Sequence, residues 1–109
     1  MKMMEKSWHK IASSKNELFS AGSNLAEIIL DQKRICLALY SGKIYALSAL
    51  CPHAGGLMAE GYTDGIGNIV CPVHHYRFQL ATGRNISGEG YHLKTYQVEE
   101  REDEIYIAW

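Results

Sequence analysis

Cys51-Pro52-His53 and, after an interval of seventeen residues, Cys71-Pro72-Val73-His74 are the two segments around which this chain is organised. Both prolines of the protein directly follow these cysteines. Proline fixes φ and removes an N–H donor, so it favours a tight turn over regular helix or strand. The pattern therefore predicts two short loops, each presenting one thiolate and one imidazole. Such a set of side chains can bind a metal.

The spacing C-x-H, seventeen residues, C-x-x-H resembles the motif of the Rieske [2Fe–2S] family, in which two cysteines hold one iron and two histidines hold the other. The likeness extends to Ala54-Gly55-Gly56-Leu57 after the first histidine and to Arg77-Phe78 after the second. These residues are similar to those of the ferredoxins of ring-hydroxylating dioxygenases. The resemblance implies one [2Fe–2S] cluster per chain, with four ligands: Cys51, His53, Cys71 and His74.

The ligand charges of such a cluster have a redox consequence. Two neutral imidazoles in place of two thiolates leave the cluster less negative, so it accepts an electron more readily. Rieske centres span roughly −150 to +300 mV, against about −400 mV for plant-type clusters with four cysteines. High-potential relatives place hydroxyl donors where this chain has Tyr76 and Phe78. Phenylalanine cannot donate a hydrogen bond, so the resemblance implies a potential near the low end of the Rieske range.

Composition and charge limit the remaining possibilities. A chain of 109 residues with 47% apolar residues has the size and character of one folded domain. A net charge of −1 gives no electrostatic sign of nucleic-acid or membrane binding. Assigning Cys51 and Cys71 to metal leaves Cys36 alone, a usage typical of a reducing compartment. Residues 1–6 have no signal-peptide character and no later run could span a membrane, so we expect a cytoplasmic protein.

Short apolar runs separated by turn residues predict an all-β protein. The predicted strands are residues 7–12, 26–30, 35–40, 44–49, 93–98 and 105–109. Residues 13–24 are expected to form a loop or one short turn, and Ser41-Gly42-Lys43 a tight hairpin turn. The charged run Glu99–Glu104 is predicted to be the loop of a final hairpin. Regular spacing of short strands indicates an antiparallel sandwich or barrel.

Together with the resemblance, this pattern predicts a Rieske-type antiparallel β-sandwich or barrel in a single domain, residues 1–109. Residues 50–78, approximately, are expected to form a small cluster-binding subdomain inserted between its strands. This insertion is rich in glycine and too short to bury a core of its own. We therefore expect iron binding and local folding to be coupled.

His75 is the residue of the motif whose role is open. Relatives most often have glycine directly after the second ligand histidine. His75 could replace His74 as the ligand, donate to a nearby acceptor, or lie exposed without a ligand role. The family spacing favours His74, and exposure is the leading interpretation of His75. Cys36, within an apolar strand, is interpreted as a buried core residue.

Three functions are compatible with these residues. The first is a soluble electron carrier, not itself an enzyme, that takes single electrons from a flavin-dependent reductase and passes them to an oxygenase or similar acceptor. The second is a small Rieske subunit of a larger oxidoreductase such as nitrite reductase. The third is a structural zinc module, because two cysteines and two histidines also suit tetrahedral zinc. The seventeen-residue interval and the Cys-Pro loops favour an iron–sulfur cluster.

Overall fold

The computed structural model describes residues 7–19, 22–52, 55–73, 75–87 and 90–109. Nearly all regular structure in these ranges is β-strand, which confirms the predicted all-β class. The strands are β1 (Trp8–Ala12), β2 (Leu25–Leu30), β3 (Lys33–Tyr40), β4 (Lys43–Ser48), β5 (Tyr62–Thr63), β6 (Asn68–Val70), β7 (Arg77–Gln79), β8 (Thr95–Arg101) and β9 (Glu104–Ala108). A four-residue helix, α1 (Lys15–Leu18), and a 3₁₀ turn, Met58–Glu60, complete the described elements. In these ranges no helix has the length and apolar character needed to cross a bilayer.

The large sheet has six antiparallel strands in the order β1-β9-β8-β4-β3-β2. Strands β4 and β8 are paired only at Ala46–Tyr96 and Leu47–Thr95, so a narrow join connects two three-stranded halves. One cluster of buried side chains draws on both halves, which shows that the sheet curls around it. Its members are Ala12, Phe19, Ile35, Leu37, Ile44, Ala46, Ile105 and Ile107.

Strand β3, the middle strand of the β4-β3-β2 half, is buried on both faces, and this explains its continuous apolar run. Ile35 and Leu37 face the core of the curled sheet, whereas Cys36 and Ala38 face a second core. The interpretation of Cys36 as a buried core residue is confirmed. Every residue from 35 to 38 is apolar, as expected for a strand that is buried on both faces.

A second sheet, with the order β5-β6-β7, lies between β4 and β8 in the chain and packs on the outer face of the large sheet. The core between the two sheets holds buried side chains from both: Cys36, Ala38, Leu47, Ala49, Cys51, Met58, Ile69, Cys71, Phe78, Leu80 and Leu93. The strands of this small sheet are only two or three residues long. It buries its apolar side chains against the large sheet instead of forming a core of its own.

The prediction that Glu99–Glu104 forms a loop is wrong. Strand β8 continues to Arg101 and β9 begins at Glu104, so the turn consists of Glu102 and Asp103 only. Neighbouring strands supply partners for the charged side chains: Glu104 accepts a hydrogen bond from Lys10 at 2.9 Å, and the Arg101 guanidinium lies 4.2 Å from the ring centre of Tyr106. Contacts across a sheet stabilise charged residues in strands, and a local pattern does not show them.

Candidate metal centre

The two cysteine loops close through the same backbone hydrogen bonds. In each loop the cysteine N–H donates to the carbonyl five residues on, and the cysteine carbonyl accepts the N–H four residues on. Cys51 bonds in this way to Gly56 and Gly55, both at 2.8 Å, and Cys71 to Tyr76 and His75, both at 2.9 Å. The main chain therefore forms two equivalent turns from different sequences.

The fourth residue after each cysteine has a positive φ, 71° at Gly55 and 60° at His75. This left-handed conformation costs glycine little, and histidine is among the side chains that adopt it more often than most. The conformation gives a physical reason for the glycine that the family resemblance implies at the position of His75. The predicted exposure of His75 is confirmed.

The thiols of both loops are buried, with 2% of Cys51 and none of Cys71 exposed to solvent. No disulfide joins the three cysteines. The loops also pack against each other, because a methyl group placed on Gly56 would lie 3.3 Å from Cys71 Sγ and 2.5 Å from Cγ2 of Val73. The backbone of the first loop thus faces the thiol of the second.

His53 and His74, the two predicted imidazole ligands, lie outside the described residues. The described part of the site supplies two buried thiols on equivalent, touching turns. Iron–sulfur clusters are held by thiolates of this kind, and burial shields such a group from water. The cysteines of this chain therefore fit a [2Fe–2S] cluster.

The other two histidines do not belong to the cysteine loops. His9, on β1, stacks on Trp109 with ring centres 3.9 Å apart and planes inclined by 11°. His92 is exposed and forms an isolated bridge with Arg84. Neither is adjacent to the cysteine loops in the chain, and we assign neither a role at the site.

Asp64 joins the turn before β6 to the start of β7, the strand that follows the second cysteine loop. The sequence did not indicate it as a site residue. Its carboxylate accepts hydrogen bonds from the N–H groups of Ile66 and Asn68 at 3.0 Å, and from the Asn68 amide and Arg77 guanidinium at 2.9 Å. Burial raises the pKa of Asp64, but these hydrogen bonds together lower it below its ordinary value. Arg77, which begins β7, is thereby tied to the turn before β6.

The margin of the site carries exposed apolar side chains. Leu50 directly precedes the first cysteine turn, Val73 lies within the second, and Ile86 and Tyr91 belong to the segment that follows β7. The Tyr91 ring lies 6.1 Å from that of Tyr76, which follows the second turn. These four exposed side chains are called the apolar rim below.

Comparison with known proteins supports the resemblance seen in the sequence. Residues 7–108 match the family model for the Rieske-like [2Fe-2S] domain. The chain is 33% identical over 93 residues to the 3-phenylpropionate/cinnamic acid dioxygenase ferredoxin subunit of Photorhabdus laumondii, covering 84% of this chain and 86% of that one. It is 35% identical over 72 residues to the naphthalene 1,2-dioxygenase ferredoxin component of Pseudomonas putida, covering 65% and 68%.

Solved structures share the fold. The ferredoxin of carbazole 1,9a-dioxygenase from Nocardioides aromaticivorans superposes with a TM-score of 0.80 at 22% identity, covering 93% of this chain and 96% of that one. A protein described as an NADH-dependent nitrite reductase small subunit from Mycobacterium tuberculosis gives a TM-score of 0.82 at 18% identity, covering 97% of both chains. The predicted Rieske-type fold is confirmed.

Proposed function

The chain belongs to the family of Rieske-like [2Fe–2S] domains, and from that premise we propose that it carries single electrons from a flavin-dependent reductase to an oxygenase. Its relatives are named as ferredoxin components or subunits of dioxygenase systems, so they are electron carriers and not the catalytic components. The observation that carries the proposal is the pair of equivalent turns, each holding a buried cysteine.

The proposed cluster ligands are Cys51, His53, Cys71 and His74. The matching turns support the two cysteines, and the family motif supports the two histidines. We further propose that the chain is a single domain in which residues 50–78 are a cluster-binding insertion. Support comes from the small sheet within this segment, which is held between two strands of the large one.

Within this proposal the protein's own residues perform three tasks. The buried thiols of Cys51 and Cys71 bind the cluster as thiolates, away from water. The backbone bonds of the two turns fix the directions of these side chains. The apolar rim, with Leu50 and Val73 beside the turns, provides a surface on which a redox partner can exclude water. When bound, the cluster accepts and releases one electron.

A spectroscopic and metal analysis of the purified protein tests the cofactor. We expect two irons and two sulfides per chain and a reduced-state EPR signal of low average g. His53→Ala and His74→Ala should each abolish this signal, and His75→Ala, the matched control, should retain it. Loss of the signal in His75→Ala alone would show that His75 is the ligand. A colourless protein with zinc and no sulfide would instead favour the structural zinc module.

The reduction potential tests the environment of the cluster. Phe78 is fully buried in the same core as both cysteines, where it offers no hydrogen-bond donor to a cluster sulfur. We expect a potential near the low end of the Rieske range, because fewer such bonds stabilise the reduced state less. A redox titration giving a value well above about +100 mV would contradict this expectation.

The proposed partners require a kinetic test. A purified flavin-dependent reductase with NADH should reduce the cluster, and a dioxygenase should reoxidise it in stopped-flow absorption measurements. The alternative, a small subunit of an oxidoreductase such as nitrite reductase, has the same site but a permanent partner. The similarity in fold to a nitrite reductase small subunit is compatible with this alternative. Co-purification with a large redox enzyme at constant stoichiometry would favour it over a free carrier.

We propose that the protein works in the cytoplasm. Support comes from Cys36, the one cysteine that remains once Cys51 and Cys71 are assigned to the cluster. This cysteine usage suits a reducing compartment. Fractionation of the native host should recover the protein with cytoplasmic markers, and recovery from an oxidising compartment would contradict this assignment.

A further inference from the structure

The peptide group between Tyr76 and Arg77 is hydrogen bonded on both sides. Its carbonyl oxygen, on Tyr76, accepts the Cys71 N–H at 2.9 Å and closes the second cysteine turn. Its N–H, on Arg77, donates to the Ser87 hydroxyl oxygen at 2.9 Å. One rigid peptide plane therefore separates the Ser87 side chain from the backbone of a proposed cluster ligand.

The Ser87 hydroxyl takes a place that a backbone carbonyl would otherwise fill. The Gln79 N–H donates to the Arg84 carbonyl at 2.8 Å, and the Ile86 N–H donates to the Arg77 carbonyl at 2.9 Å, so residues 84–86 pair with β7. In a continued antiparallel ladder, residues 77 and 86 would exchange both hydrogen bonds. The Arg77 N–H instead bonds to Ser87, and the chain leaves the ladder at this point.

Asn85 holds Ser87 in position from within its own segment. The Asn85 side-chain oxygen accepts the Ser87 N–H at 2.6 Å. Only 8% of Asn85 is exposed, so this turn is anchored in the interior. The hydroxyl of Ser87 is thus directed toward β7 by a buried side chain two residues earlier.

We propose that Ser87 is a positioning residue for the second cysteine turn and, through it, for the cluster, an inference that rests on the proposed function. The direction of the Tyr76 carbonyl depends on the tilt of its peptide plane, and the Ser87 hydroxyl fixes that tilt. Without the hydroxyl, the Arg77 N–H turns to water or to the Ile86 carbonyl. Either change moves the carbonyl that holds Cys71.

The test compares cluster release from wild-type holoprotein and three variants in excess iron chelator, followed by visible absorption. Ser87→Ala should release the cluster about fivefold faster, which corresponds to about 1 kcal/mol for one hydrogen bond. Ser87→Thr keeps the hydroxyl and should stay within twofold of wild type. Ser23→Ala, the matched control, removes a hydroxyl that bonds the backbone of Leu25 at the start of β2, and should also match wild type.

Two further readouts separate positioning from general stability. Ser87→Ala should shift the reduced-state EPR g values and the reduction potential, and Ser87→Thr should restore both. If Ser87→Ala loses its cluster during purification while Ser87→Thr retains it, the inference is supported. Release from Ser87→Ala at the wild-type rate, or equal acceleration in Ser87→Thr, would overturn it. A wild-type protein without any cluster would instead refute the proposed function, which distinguishes the two failures.

Discussion

A methyl group on Gly56 should force the two cysteine turns apart. The added Cβ would lie 2.5 Å from Cγ2 of Val73 and 3.3 Å from Cys71 Sγ. Carbon atoms pack at about 3.5–4.0 Å, so the Val73 methyl must retreat by about 1 Å. Val73 is 46% exposed and has room to move, whereas Cys71 is fully buried. The residual strain therefore falls on the thiol that we assign to the cluster.

Overpacking of this kind typically costs about 1–3 kcal/mol. For a protein of this size, each kcal/mol corresponds to a shift of roughly 4–8 °C in the thermal midpoint. Gly56→Ala should therefore lower the midpoint of the holoprotein by at least about 4 °C, measured by far-UV circular dichroism and visible absorption. Gly65→Ala is the matched control, because a methyl group there meets nothing within 4 Å and neither glycine has a positive φ.

Val73→Ala provides the decisive second variant, because it removes the methyl group that Gly56→Ala would strike. The remaining Val73 Cβ lies 3.6 Å from the added carbon, an ordinary contact. Val73→Ala alone should change stability little, since the side chain is partly exposed. Combined with Gly56→Ala it should restore the part of the midpoint that is lost to the Val73 contact, while the strain on the Cys71 thiol remains. Equal midpoints for Gly56→Ala and Gly65→Ala, or no recovery in the double variant, would refute the packing of the two turns.

Three other predictions concern single residues. His75→Gly should raise the thermal midpoint, because a left-handed conformation costs other residues about 1 kcal/mol; a fall would contradict this. The pKa of Asp64 is lower in the folded protein than in the unfolded chain, where it is about 3.9. The contribution of Asp64 to the free energy of unfolding is therefore complete above about pH 3.9 and is lost as the pH falls through the folded-state pKa. Asp64→Asn should flatten that acid dependence of the thermal midpoint, and an unchanged profile would count against the network. Burial and the nearby Glu27 carboxylate raise the pKa of the Cys36 thiol to about 12. Iodoacetamide at pH 8 should therefore leave Cys36 unmodified until the protein unfolds, and labelling of Cys36 in the native protein would contradict this.

The sequence predicted all six strands of the large sheet, but it missed the extension of β8 and the three short strands of the insertion. Strands β2, β3 and β4 form consecutive hairpins, so their apolar runs and turn residues, such as Ser41-Gly42, show them directly. Strand β8 extends through charged residues because β9 and β1 provide their partners. The short strands of the insertion carry too few residues for a periodic pattern, and their pairing follows from the packing against the large sheet.

The candidate site was predictable in its residue types but not in its main-chain symmetry. Cys-Pro pairs identify both turns, but the sequence does not show that the fourth residues after the cysteines, Gly55 and His75, have equivalent backbone conformations. That equivalence appears only in the shared hydrogen bonds and positive φ values. The same backbone geometry leaves His75 exposed. The choice of His74 as the second imidazole ligand rests on the family spacing, because His74 itself lies outside the described residues, and the His74→Ala and His75→Ala variants decide between the two.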